Sequence, residues 1–254
     1  MSNLRFYSAE NLQIGATIKL SDSAATHATR VMRLNVGDAL TLFCGDGFDY
    51  SCELISIKKN EALVIVKSSI KIENESNLSI TLLQGISAGD RMDISIQKAV
   101  ELGVTKIIPI KTERSVVKLS LERAEKRLEH WQNIVIAACE QSGRAIIPQV
   151  FATESLSAWL GANTYKASSG GDLISAPKTR ILLNPISAKK LNELQKPAGE
   201  IELLVGAEGG LSDKEISLAL SQGFQSVVLG KRILRTETAP LAAIAAMQTL
   251  WGDF

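Results

Sequence analysis

The sequence predicts an α/β protein in two parts, a small β-barrel over residues 1–72 and a parallel α/β domain over residues 73–254. Three observations predict it. The first seventy residues are short strand-like runs broken by turn residues. Beyond residue 78, apolar strands alternate with amphipathic helices. Between the two lies a polar stretch, Lys71-Ile72-Glu73-Asn74-Glu75-Ser76-Asn77.

In the first part, Thr41-Leu42-Phe43-Cys44 runs into Gly45-Asp46-Gly47, and strands follow over residues 50–57 and 62–66, separated by Lys58-Lys59-Asn60. Residues 23–34 carry Ala24, Val31 and Leu34 at helical spacing and predict one short helix. In the second part, a strand over 78–84, a helix over 90–102 stopped by Gly103 and a strand over 106–110 make a βαβ unit. Leu121, Ala124, Leu128, Trp131, Val135 and Ala138 mark one face of a long helix over 121–141, with Trp131 in the core. The small-residue stretch 167–177 is expected as a surface loop before a strand over 180–183. Near the end, a strand over 202–205 leads into Gly206-Ala207-Glu208-Gly209-Gly210. Ser212 and Glu215 then form a capping box for a helix ending at Gly223. A strand over 226–229, a loop over 230–239 and a helix opened by Pro240 and running through Trp251 complete the chain.

Composition narrows the function. A hydrophobic content of 45% and a charged content of 22% exclude disordered and fibrous classes. A net charge of +1 gives no global basic field, so binding to nucleic acid must rest on local arginines and lysines. Cys44, Cys52 and Cys139 lack metal-ligand spacing, and His27 and His130 are far apart, so no metal and no disulfide framework are expected. No bilayer-length apolar run and no signal-peptide core occur, so the expectation is a cytoplasmic protein with no membrane association.

The C-terminal loops carry the chemistry. Both leave the carboxyl ends of strands, where open α/β sheets bind ligands. Three glycines among the five residues 206–210 let backbone approach a flat ligand closely, although plain turn geometry explains glycine there equally well. The second loop, Lys231-Arg232-Ile233-Leu234-Arg235-Thr236-Glu237-Thr238, holds more chemistry than a structural connection needs. Neither the phosphate-binding GxxxxGK[ST] nor a dinucleotide GxGxxG with its downstream acid fits.

Val205-Gly206-Ala207-Glu208-Gly209-Gly210-Leu211-Ser212, followed by Leu229-Gly230-Lys231-Arg232-Ile233-Leu234-Arg235-Thr236-Glu237-Thr238-Ala239, resembles the paired signature of the RsmE family of 16S ribosomal RNA uracil-N3 methyltransferases, in the SPOUT superfamily. Upstream, Gly89-Asp90-Arg91-Met92-Asp93, residues 97–104, residues 112–117, Ala138-Cys139-Glu140-Gln141-Ser142-Gly143-Arg144 and His27-Ala28-Thr29-Arg30-Val31-Met32-Arg33 fit the same family. Ala207 and Lys231 depart from it, standing where the family usually has proline.

The resemblance implies an N-terminal PUA-like barrel that helps bind RNA, a C-terminal SPOUT domain with a trefoil knot, S-adenosylmethionine as cofactor and a homodimer acting on 16S ribosomal RNA. Carried over by position, it assigns the cofactor to Leu183, Asn184, Pro185, Gly206, Ala207, Glu208, Gly209, Gly210, Leu229, Gly230, Ile233, Leu234, Arg235, Thr236, Thr238 and Ala239. Catalysis is expected from Arg235, with Glu208 or Glu237 as proton acceptor. Glu208 could instead bind loop amides, and Arg235 could form a salt bridge across the dimer. His27, Arg30, Arg33, Arg91, Arg114 and Arg144 are the candidate RNA contacts, the arginines also readable as ordinary solvated surface and His27 as a local helix cap. Related knotted enzymes methylate other RNAs, so transfer RNA is an alternative substrate, and an RNA-binding module without catalysis is the alternative of another class.

Overall fold

The computed structural model describes residues 4–58, 61–117, 121–163 and 178–254, so the expected loop over 167–177 lies outside the described residues. The chain divides into two compact units, Met1–Glu75 with Ile136–Ile147, and Ser76–Val135 with Pro148–Phe254.

The first unit is built on β1 (Arg5–Tyr7), β2 (Thr17–Lys19), β3 (Ala39–Phe43), β4 (Phe48–Lys58) and β5 (Glu61–Lys71), paired in the order β1-β3-β4-β5-β2. Alternation along β3, β4 and β5 turns Leu40, Leu42, Cys52, Leu54, Val64 and Val66 into one core, which Phe6 and Ile18 from the two end strands also enter. The helix expected over 23–34 is two short pieces. An α-helix, α1 (Asp22–Thr26), is capped by the Ser21 hydroxyl on the Ala24 N–H, and a π-helical turn (His27–Val31) follows. The widened turn is closed by Met32 N–H to the His27 carbonyl at 2.9 Å and Leu34 N–H to the Ala28 carbonyl at 3.0 Å. Arg33 follows with φ of 57°, a left-handed conformation that costs a residue with a Cβ and recurs at functional sites.

The second unit contains a seven-stranded sheet of parallel strands. In chain order the elements from β6 onward, of which α3 from residue 136 on belongs to the first unit, are β6 (Ile80–Gly85), α2 (Asp90–Glu101), β7 (Lys106–Lys111), α3 (Leu121–Ser142), β8 (Gln149–Val150), β9 (Glu154–Ser155), α4 (Leu156–Ala162), β10 (Thr179–Leu183), β11 (Ile201–Val205), α5 (Asp213–Ser221), β12 (Gln225–Val227) and α6 (Thr238–Trp251). The order across the sheet is β12-β10-β11-β6-β7-β8, with β9 also on β7. Strands buried on both faces read as continuous apolar runs, as β6 and β11 do. Leu83, Ile108, Ile110, Leu182 and Leu204 share a cluster with Leu156, Trp159 and Leu160 of α4 and Ala219 of α5. On the other face α2 and α6 pack on each other, and α6 on β11.

The amino-terminal end of this sheet is held by charge. Arg180 donates from Nε to Glu202 at 2.7 Å, from Nη1 to the Gln222 carbonyl at 2.8 Å and from Nη2 to the Asn163 carbonyl at 2.6 Å, with both members of the ion pair buried. Its guanidinium also lies 5.8 Å and 5.5 Å from the ring centroids of Trp159 and Phe224.

The division expected after residue 72 falls after Glu75, and residues 136–147 join the first unit. Two arginines explain it. Arg5, buried over the Phe43 ring, donates to the carbonyls of Cys139 at 2.7 Å and Arg144 at 3.0 Å. Arg144, 5% exposed, donates from Nε to both carboxylate oxygens of Glu75, at 3.2 and 3.0 Å. That corrects the expectation of an RNA contact at Arg144, because a buried guanidinium already bound to a carboxylate is withdrawn from phosphates. Trp131 is buried, as its place on the helix predicts.

Removing Arg180 leaves Glu202 buried with only Lys178 beside it. Arg180→Met is expected to lower unfolding free energy by about 3 kcal/mol, read from the urea midpoint. An unchanged midpoint would remove the ion pair from the account of the sheet.

Candidate active site

The loops at the carboxyl ends of β10, β11 and β12 enclose a cavity of about 720 Å³, within the range of small-molecule sites. Leu183, Asn184 and Pro185 follow β10, residues 205–211 follow β11, and residues 227–230 and 232–237 with Ala239 follow β12. Arg91, Arg114, Ile186, Asp213 and Ile216 complete the wall.

The first loop is a tight turn. Gly210 N–H donates to the Ala207 carbonyl at 2.8 Å, and Gly210 adopts φ of +68°. A Cβ on Gly206 would lie 2.8 Å from the Gly210 carbonyl carbon, and one on Gly209 would lie 2.9 Å from the Arg114 carbonyl oxygen. Backbone is therefore what faces the ligand here. Arg114 Nη1 donates to the Leu211 carbonyl at 3.0 Å, so this arginine buttresses the turn.

The second loop crosses back over the sheet. β12 is an end strand, yet Thr236 reaches the end of β6, which lies beyond β10 and β11. The chain between them runs across the carboxyl ends of those strands, and a crossing of this kind is what the implied knot requires. Thr236 is buried, and its hydroxyl donates to the Gly206 carbonyl at 2.9 Å. Gln84 Nε2 lies 3.3 Å and Ser87 Oγ 3.1 Å from the same hydroxyl oxygen. The Arg235 carbonyl accepts the N–H groups of Thr238 and Ala239, both at 2.9 Å, which fixes its backbone while its side chain is exposed. Outside the turn, Val228 N–H donates to the Lys189 carbonyl at 2.8 Å, tying the segment after β10 to the segment after β12.

The two acids differ. Glu208 Oε1 accepts from Ala88 N–H at 2.7 Å and from Arg91 Nη1 at 3.1 Å. Partial burial works to raise its pKa, but the Ala88 and Glu208 N–H groups and the Arg91 guanidinium together outweigh it and hold the carboxyl below its ordinary value. Glu237 Oε2 is buried without a hydrogen-bond partner among the described residues, and the Nε of Arg91 is 3.9 Å away.

Of the sequence-assigned cofactor residues, Thr238 alone is absent from the cavity wall; it is the exposed first residue of α6. That helix begins two residues before Pro240, because the Arg235 carbonyl caps it. Arg91 and Arg114 line the cavity, whereas His27, Arg30 and Arg33 belong to the other unit, on and just after the π-helical turn and exposed. Gln84, Gly85, Ser87 and Ala88 escaped the sequence reading. The usable signal was Gly85 itself, a glycine ending an apolar strand as Gly206 does. No helix among the described residues is long and apolar enough to cross a membrane, and no group of metal-binding side chains occurs among them.

A Cβ on Gly85 would fall on the backbone nitrogen of Ala207 and 2.6 Å from the Gly206 carbonyl carbon. Gly85→Ala should therefore cost about 1–3 kcal/mol by overpacking and distort the turn. Urea unfolding checks it, and a variant as stable as the parent would show that the two backbones do not meet.

The RNA methyltransferase domain family matches residues 74–248, and the RNA methyltransferase PUA domain family residues 20–67. Ribosomal RNA small subunit methyltransferase E of Buchnera aphidicola (subsp. Schizaphis graminum) is 37% identical over 98% of this chain and 97% of its own. The Bacillus subtilis protein of that name is 33% identical over 96% of each. Among solved structures, ribosomal RNA small subunit methyltransferase E of Neisseria gonorrhoeae, bound to S-adenosylmethionine, superposes with a TM-score of 0.87 at 45% identity over 99% of both chains. A methyltransferase of Legionella pneumophila, also with S-adenosylmethionine, gives 0.90 at 35% identity over 100% of both. The likeness thus runs along whole chains of one kind, and this chain, with its PUA unit and its SPOUT-class α/β unit, belongs to the ribosomal RNA small subunit methyltransferase E family.

Proposed function

We propose that this protein is a homodimeric enzyme that methylates N3 of a uridine in 16S ribosomal RNA with S-adenosylmethionine. One observation carries the reading: the walls of the cavity are formed by the same two segments, residues 205–211 and 227–239, that bear the family signature. The residues fit such a cofactor. Gly206 and Gly209 leave no room for side chains, so amides and carbonyls are available to a purine edge, and Leu183, Val205, Leu211, Val227 and Leu229 offer apolar walls to its faces. Glu208 and Glu237 supply negative charge suited to a cationic ligand, and Asn184 and the arginines supply polar groups for its remainder.

When bound, the cofactor supplies a methyl group already activated on a sulfonium. The chain must then orient the uracil ring and accept its N3 proton. Arg235, exposed on the cavity wall with its backbone fixed, is placed to balance charge developing on the uracil oxygens. Of the wall's carboxylates, Glu208, Asp213 and Glu237, the two glutamates lie on the signature loops and are the candidates to take the proton. In the other unit, His27, Arg30 and Arg33 on the strained π-helical turn are the RNA contacts of this reading. What supports a second copy is the exposure of Ile186 and Ile233, 84% and 83%, two apolar side chains on the cavity wall. On this reading the protein works in the cytoplasm, with its ribosomal RNA substrate.

The test is incubation of the protein with labelled S-adenosylmethionine and small-subunit particles from a strain lacking the activity, followed by mapping of the labelled nucleoside. The expected product is one N3-methyluridine in 16S RNA; label in transfer RNA, or none, would overturn the reading. Arg235→Ala is expected to lower kcat by roughly 10²-fold with cofactor binding, measured by calorimetry, retained. Full turnover would assign Arg235 elsewhere.

A further inference from the structure

We infer that Glu237, and not Glu208, takes the uracil proton, and that Arg91 is the positioning residue that separates the two roles. The inference deepens the methyltransferase reading and rests on it. Both acids line the cavity, but they are not equivalent bases. Both strong donors to Glu208, the Ala88 N–H and the Arg91 guanidinium, converge on Oε1 and fix the group as an anion. A carboxylate so satisfied is a poor proton acceptor, because protonation would forfeit those bonds. It is suited to holding the first loop against the start of α2.

Glu237 has the opposite arrangement. Its Oε2 is buried with no hydrogen-bond donor among the described residues, which folding does not favour unless the group has another use. Arg91 explains how that oxygen stays open. Its Nη1 bonds Glu208 at 3.1 Å, which leaves Nε at 3.9 Å from Glu237 Oε2, too far for a hydrogen bond. The other charged groups of the cavity wall are Arg232 and Arg235 on the loop of Glu237, Arg114 after β7 and Asp213 at the start of α5.

In the step, the N3–H bond breaks and its electron pair forms the new bond to the methyl carbon. The bond from that carbon to sulfur breaks with its pair remaining on sulfur, and the proton passes to the Glu237 carboxylate, whose side chain is 18% exposed, and then to solvent.

The experiment is the pH profile of kcat/KM for methyl transfer to small-subunit particles, with cofactor binding followed by calorimetry. A base must be ionised to act, so the rate falls as pH drops through its titration. Glu237→Gln is expected to lose roughly 10²-fold or more in kcat, with the acid limb abolished and cofactor binding intact. Glu208→Gln should keep the acid limb and raise the cofactor KM by about fivefold or less, the scale of a partly exposed ion pair. Arg91→Gln should lower kcat more than it raises the cofactor KM, because both acids lose the group that positions them, and Arg91→Lys should restore part of the kcat. An acid limb lost in Glu208→Gln and kept in Glu237→Gln would overturn the assignment, and an unchanged kcat in Arg91→Gln would remove Arg91 from it. Failure of the underlying reading is distinct: the unsubstituted protein would transfer no methyl group.

Discussion

The hydrogen bond from the Thr236 hydroxyl to the Gly206 carbonyl is the contact on which the site depends. A hydroxyl has a single proton to give. With that proton directed to Gly206, the Gln84 amide donates to the threonine oxygen, and the single proton of the Ser87 hydroxyl, 3.1 Å from that oxygen, is shared with the Gly85 carbonyl at 3.3 Å. Four backbone segments thereby take one arrangement: the end of β6, the start of the turn after it, the glycine turn after β11, and the crossing loop before α6. Gly85 packed against Ala207 makes the same junction by exclusion of volume. Without it, the glycine turn and the crossing loop are two unrelated connections, and no cavity of defined shape lies between them.

The two ends of the α/β sheet are stabilised by different physics, and the difference suits what each does. At the amino-terminal end a fully enclosed ion pair, Arg180 with Glu202, is braced by two carbonyls and two aromatic rings. Burial makes it insensitive to salt and expensive to break. At the carboxyl-terminal end the contacts that join the two loops through Thr236 are neutral hydrogen bonds, and Arg91, Glu208 and Arg235 stand at the surface of the cavity. Charges there remain available to a ligand, and the frame that carries them is fixed elsewhere.

Much of this was legible from residues alone. The capping box appears as read, with Ser212 and Glu215 each bonding the other's backbone N–H. The paired strand-to-loop pattern located the cavity wall, because glycine and the polar, cationic second loop stand where strand periodicity stops. Other elements carried too little signal. β1, β2, β8 and β9 have two or three residues, too few to express a period of two. α4 did carry one, with Ser155 as cap and Leu156, Trp159 and Leu160 at helical spacing, and the reading passed over it. The π-helical turn has no sequence pattern of its own, since residues 23–34 keep helical spacing while the backbone widens. Within the site, the loops were legible and their fastening was not. Thr236 reads as one more ligand-facing hydroxyl until Gln84 and Ser87, about 150 positions away, are seen beside it. Arg144 reads as a phosphate contact until Glu75 is found against it.

The central claim is that Thr236 builds the cofactor cavity by joining its two loops. Calorimetric titration of S-adenosylmethionine into Thr236→Val and Thr236→Ser tests it most directly, because valine keeps the volume and loses the hydroxyl while serine keeps the hydroxyl. The account predicts that valine weakens binding by roughly tenfold or more, the equivalent of a lost buried hydrogen bond, and that serine restores most of the affinity. Equal affinity in the valine variant and the parent would contradict it.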